Sequence, residues 1–204
     1  MSRQRPELYT LAHNYFCGVK RTMSPLTAME IINAGFDPAK RPDNYVEDTT
    51  EGWMQDASLF MKINHLIVSG PAGTGKDILI EAFCHAFNLP LARFAFKQGT
   101  NPVDWIYRTT LVGDGKGGTE TKEVEGDLLK ACRGITCKRD FTGATESQLT
   151  KAINDMEKVG YTVVNNGGML AITVPSVILF SDYDRATPDQ LEILRQALEL
   201  GKEK

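Results

Sequence analysis

The feature that most constrains this chain is a glycine-rich heptapeptide, Gly70-Pro71-Ala72-Gly73-Thr74-Gly75-Lys76, set between two apolar segments of different period. Ahead of it, HLIVSG is a short aliphatic and β-branched run bounded by glycine, which predicts a strand buried on both faces. Behind it, DILIEAFCHAFN repeats Ile78, Leu79, Ala82, Phe83, Ala86 and Phe87 at helical spacing. A second strand, LARFAF, follows the turn at Pro90, and the right-handed crossover rule folds strand, loop, helix and strand onto a parallel sheet. In that setting the glycines let backbone N–H groups turn inward around phosphate oxygens. The helix beginning near Lys76 points its positive end at them, and the lysine ammonium neutralises the outer phosphates. The candidate binding residues for a nucleoside triphosphate are therefore Gly70, Pro71, Ala72, Gly73, Thr74, Gly75, Lys76, Asp77 and Ile78.

Asp77 departs from this chemistry. A hydroxyl normally follows the lysine and ligates the magnesium (Mg2+) that travels with the triphosphate. The second half of such a site is an apolar strand ending in a metal-binding carboxylate, often followed by a group that polarises the attacking water. VILFSDYDRA offers the strand, with Ser181 in the metal position and Asp182 after it. One reading is an exchange, in which Asp77 supplies the carboxylate and Ser181 the hydroxyl. Magnesium accepts oxygen ligands from either place if water fills the gaps. The other reading is decay, because a carboxylate beside the β- and γ-phosphates repels them, and Asp182 is one methylene shorter than the glutamate often found there. Both predict slow hydrolysis, with Lys76 and Asp182 as the candidate catalytic residues and Asp77 and Ser181 as the candidate metal ligands.

The remaining chain reads as an α/β protein with appendages. Residues 1 to about 60 are expected to form a helical lead-in, broken at Pro25, Gly35 to Pro38 and Arg41 to Asp43. Within it TAMEIINAGFD is a short amphipathic helix ended by Gly35, and Tyr45 and Trp53 are expected to pack on the domain that follows. TTLVGDGKGGTETKEV predicts a hairpin, GDLLKACRG a short helix, and TESQLTKAINDMEKVG a helix with threonine as its cap. YTVVNNGGMLAITV predicts a hairpin turning at NNGG, and PDQLEILRQALELG a final amphipathic helix.

Composition adds bounds rather than function. A net charge of −3 gives no electrostatic argument for nucleic acid or an anionic membrane, and neither is expected as a partner. Cys17, Cys84, Cys132 and Cys137 form no CxxC pair, and the three histidines complete no zinc spacing. With no signal peptide core and no apolar run of membrane length, the expected location is the cytoplasm.

Taken together, PDNYV, GPAGTGKD, LARFAFKQGTNPVDWIYRTTLV, KEVEGDLLKA and LFSDYDRATPDQLEILRQALE resemble the AAA+ ATPases of the MoxR type, and among them the ATPase subunit of aerobic cobaltochelatase. The resemblance covers roughly residues 42–131 and 176–200. It implies ATP and Mg2+ as cofactors and a P-loop NTPase sheet flanked by helices. It also implies a hairpin inserted in the second helix of the core, over TTLVGDGKGGTETKEV, facing the ring pore or a partner. Members of the family form ATP-dependent rings, commonly hexamers, that remodel partners often carrying a von Willebrand factor A-type domain. Arg185 is open to two readings, a group at a subunit boundary or a solvated arginine.

On this resemblance residues 61–204 make a partial ATPase core, with an added helix and hairpin at about 133–175 that serves as a partner contact or as surface decoration. The family's sheet order 5-1-4-3-2 needs a fourth strand between the first and third, and none follows the last helix. The expectation is a chain truncated after that helix, without the last strands, the sensor, the arginine finger and the lid. The alternative is that YTVVNNGGMLAITV fills the vacant place. Two functional readings stay open, a slow ATPase and a ring or scaffold component that turns nothing over. A kinase-like P-loop enzyme lacks an identifiable lid or acceptor site.

Overall fold

The computed structural model describes residues 11–47, 66–97, 99, 101–113, 115 and 118–200. In chain order the first elements are β1 (His13–Phe16), β2 (Val19–Thr22), α1 (Ala28–Asn33), β3 (Asp37–Pro38), α2 (Lys76–Phe87) and β4 (Pro90–Ala95). Next come α3 (Val103–Ile106), β5 (Tyr107–Gly113), β6 (Thr119–Glu125) and α4 (Asp127–Arg133). The last are β7 (Ile135–Asp140), α5 (Glu146–Glu157), β8 (Thr162–Asn166), β9 (Met169–Val174), β10 (Val177–Ser181) and α6 (Pro188–Leu200). The chain divides into two compact units, one of residues up to Leu91 with Ile135–Pro175, the other of Ala92–Gly134 with Ser176 onward.

The first unit corrects the helical lead-in. Cys17 and Gly18, at φ 47° and 75°, make a two-residue turn that joins β1 to β2 as an antiparallel hairpin. Within residues 11–47 only α1 is helical, because only TAMEIIN pairs a capping box with an apolar repeat. Thr27 and Glu30 form that box, and Gly35, at φ 87°, ends the helix as its sequence predicts. Tyr45 packs, but on the lead-in rather than on the domain that follows: it stacks on Phe16 at 5.9 Å between ring centroids. Trp53 lies outside the described residues.

A second correction concerns HLIVSG. His65 is outside the described residues, residues 66–70 are not in a strand, and Ile67 is 83% exposed. An aliphatic run becomes a buried strand only where neighbouring backbone takes up its N–H and C=O groups, and no described strand pairs with this one. The helix after the loop is as expected. The helix α2 buries Leu79, Ile80, Phe83, Cys84 and Phe87, and Phe83 meets Phe16 and Phe87 edge to face at 5.8 and 5.0 Å. Asn88 closes it in the left-handed conformation, with its N–H on the Cys84 and His85 carbonyls.

Residues 135–175 build a sheet of their own. The strand β9 is central, antiparallel to β7 on one side and to β8 on the other, with α5 linking β7 to β8. Thr145 caps α5 through a capping box with Gln148, and the NNGG turn uses Gly167 and Gly168 at φ 64° and 91°. The hairpin β8–β9 therefore takes β7 as its partner and does not fill a vacant place beside β4 or β10. Six register pairs with β7, from Ile135↔Val174 to Asp140↔Met169, use one whole edge of β9.

This module is fastened to the N-terminal hairpin. Arg139 makes a two-pronged ion pair with Glu30, at 2.9 and 2.6 Å, and Tyr161 donates to the Thr22 carbonyl at 3.2 Å. Arg21, 4% exposed, donates to the Val159 carbonyl at 2.7 Å and lies over the rings of Phe83, Phe87 and Tyr161 at 5.6 to 5.8 Å.

In the second unit, β4 neighbours β10, and the Phe96 N–H donates to the Ser181 carbonyl at 3.1 Å. The second and third predicted strands are thus adjacent, as the order 5-1-4-3-2 requires. Phe94, Phe96, Trp105 and Phe180 form the aromatic core around them, at centroid distances from 5.1 to 6.2 Å. The predicted hairpin is present as β5–β6, with seven register pairs and nearly every residue exposed. Gly126 follows it with its backbone against Trp105, where a Cβ would lie 2.3 Å from the Trp105 carbonyl oxygen. The last helix, α6, is capped by Thr187 and Gln190 in a reciprocal pair. No described helix is long and apolar enough to cross a membrane.

Candidate functional site

The glycine loop folds as its composition dictates. Gly70, Gly73 and Gly75 sit at φ 157°, 80° and 77°, conformations that a side chain would strain. Around the Cβ positions of Gly73 and Gly75 nothing lies within 4 Å, so the loop is open to close approach at both. Gly75 is the N-cap of α2 and brings no side chain to cap it, while its carbonyl accepts the helix's first bond from the Leu79 N–H at 3.0 Å. The positive end of α2 is thereby turned toward the loop without a competing cap.

Lys76 does not extend into solvent. Its ammonium donates to the Gly70 carbonyl at 3.0 Å and to the Pro71 carbonyl at 2.8 Å, and stands 3.4 Å from the Thr74 hydroxyl. The lysine therefore crosses the loop and concentrates positive charge where backbone and helix dipole already favour an anion. Thr74 donates its hydroxyl to the same Pro71 carbonyl at 2.9 Å, a link that glycine and lysine spacing does not reveal. Its only trace in the sequence is a hydroxyl three residues after a proline. Asp77 is exposed in the first turn of α2, and Ile78 after it is 37% exposed. A carboxylate there gains from the helix dipole but opposes a neighbouring phosphate.

Of the expected residues, Gly70 through Ile78 are brought together in the first unit, and Ser181 and Asp182 stand at the end of β10 in the second. Ser181 is half-buried. Asp182 adopts a left-handed backbone, φ 56° and ψ 36°, where the strand turns into a short 3-10 helix, Tyr183–Arg185. Asp tolerates this conformation better than most residues. Its carboxylate lies 3.9 Å from the Arg185 guanidinium, whose side chain is 70% exposed. The Arg185 N–H also donates to the Asp182 carbonyl at 2.9 Å, so the arginine is tied to its own turn.

Compared with known protein families, residues 65–203 match the AAA domain of the dynein-related subfamily. The matched span takes in the glycine loop, α2, β4 and the end of β10. No curated protein and no solved structure matches the chain.

Proposed function

The chain belongs to the AAA domain family in its dynein-related subfamily, an ATP-binding kind of module, and on that footing we propose that it is a slow ATPase of the MoxR and cobaltochelatase type. One observation carries this reading. Lys76 bridges the Gly70 and Pro71 carbonyls inside a glycine-shaped loop at the uncapped start of α2.

The residues present fit a triphosphate. Open space at Gly73 and Gly75 admits close contact, and the loop amides and Lys76 would hold the outer phosphates. Magnesium supplies charge neutralisation of the phosphates. Asp77 would offer it a carboxylate and Ser181 a hydroxyl, an assignment that rests on the chemistry of the two side chains. Asp182 would accept a hydrogen bond from the attacking water, its placement aided by the left-handed turn. In the full reading the module works in a hexameric ring, and the exposed β5–β6 hairpin meets the pore or a partner with a von Willebrand factor A-type domain. A second reading, a scaffold subunit that binds nucleotide without turnover, is favoured by Asp77 in the loop and Ser181 in place of a carboxylate.

The test is the affinity for a nonhydrolysable ATP analogue with and without magnesium, in the native protein, Asp77→Thr, Ser181→Asp and the double variant. Exchange of ligands predicts magnesium-dependent binding that each single change weakens about tenfold or more and the double change restores. Binding indifferent to magnesium in all four proteins sinks the exchange. Steady-state ATP turnover by the native protein then separates ATPase from scaffold.

A further inference from the structure

The nucleotide reading leaves open what sets Lys76 across its loop. The Pro71 carbonyl is shared by two donors, the Thr74 hydroxyl at 2.9 Å and the Lys76 ammonium at 2.8 Å, which together occupy both of its lone pairs. Proline fixes its own φ and has no N–H, so at this point of the loop the backbone offers only an acceptor. The Thr74 hydroxyl also stands 3.4 Å from the place a Cβ on Gly70 would take, closing the loop against its first residue. Thr74 is exposed, so the link is not a by-product of core packing.

We propose that Thr74 is a positioning residue: its hydroxyl holds the Pro71 carbonyl as the rest for the Lys76 ammonium, and so aims the lysine at the outer phosphates of a nucleoside triphosphate. This rests on the reading of the loop as a nucleotide site. Serine keeps the hydroxyl, and valine keeps the shape without it. The expected result is an ATP affinity about three- to tenfold weaker in Thr74→Val, the range of one net hydrogen bond, and near native in Thr74→Ser. The thermal midpoint should be equal in both, because the side chain is exposed.

The experiment is calorimetric titration of magnesium ATP into the native protein, Thr74→Val, Thr74→Ser and Lys76→Ala. It is joined to the nitrogen-15 NMR signal of the Lys76 ammonium in the nucleotide-free protein. If Thr74→Val binds as tightly as the native protein while Lys76→Ala does not bind, the nucleotide reading stands and the role of Thr74 is overturned. If the native protein itself does not bind ATP, the nucleotide reading fails and takes the aiming of phosphates with it. The ammonium signal still reports on the contact: broadened in Thr74→Val and retained in Thr74→Ser, it supports Thr74 as the holder of Lys76; unchanged in Thr74→Val, it overturns it.

Discussion

At Glu30 one carboxylate serves two neighbours. It completes the capping box of α1 with Thr27 and takes both prongs of Arg139. The Arg139 hydrogen bonds, with those from Thr27, hold its pKa down to about 2 against the partial burial that would raise it. A carboxyl group with a depressed folded pKa stabilises the protein fully above its unfolded value and loses that contribution as pH falls through the folded one. The window is therefore from about 4.5 down to about 2. With solvent screening of this partly exposed pair, the contribution is about 1–2 kcal/mol. Urea unfolding at intervals across that window should show a decline that Arg139→Met largely removes. An equal decline in the variant would assign the pH dependence elsewhere. The same scale shows what the sequence reveals of the candidate site. Gly70, Gly73, Gly75 and Lys76 were readable because each needs a fixed spacing, whereas the Thr74 contact and the left-handed Asp182 depend on backbone angles that no spacing encodes.

Among the elements, the tie between β2, α2 and the turn after α5 runs through Arg21. Its Nη2 is bonded to Val159, while Nε and Nη1 are buried with no hydrogen-bond partner among the described residues. The three rings around it supply cation–π attraction in place of a carboxylate. Arg21→Ala should destabilise the protein by about 3 kcal/mol through the cavity it leaves. Arg21→Met should cost less than half of that, since it keeps the stem and removes two unpaired donors, a change of about 1 kcal/mol. Equal losses in urea unfolding would mean that the charge over the rings, not the packed stem, is what matters. Elements with a local cause were legible: α2, α5 and α6 by period, the β5–β6 and β8–β9 hairpins by their turns. Those that depend on a partner were not. The strand β7 forms because β9 offers an edge, and residues 66–70 are not in a strand, with no described strand beside them to offer one. The N-terminal hairpin was missed because its turn, Cys17-Gly18, carries only one of the usual turn residues.

Across the whole molecule, residues 135–175 are a structural part of the N-terminal unit and not a detachable ornament. They leave and rejoin the chain at neighbouring points, since Ile135 pairs with Val174. A short glycine-serine link from Gly134 to Ser176 is therefore sterically easy. The shortened protein should nonetheless lose ordered structure beyond the segment removed, because Glu30, Arg21 and the Thr22 carbonyl lose their partners together. Circular dichroism and urea unfolding of the shortened chain check this. Retention of native hairpin and α2 signals with a single sharp transition would show the module to be dispensable.

Arg21 and the Val159 carbonyl that it reaches are 138 positions apart. On a ribosome adding roughly 5–20 residues per second, that interval is on the order of ten seconds. Until then Arg21 and the Phe83 and Phe87 rings against it wait without the Val159 and Tyr161 side of their cover. A hairpin whose anchoring partner follows it at so long an interval stays unsealed for most of that time, and exposed aromatic surface of this kind is what chaperones bind.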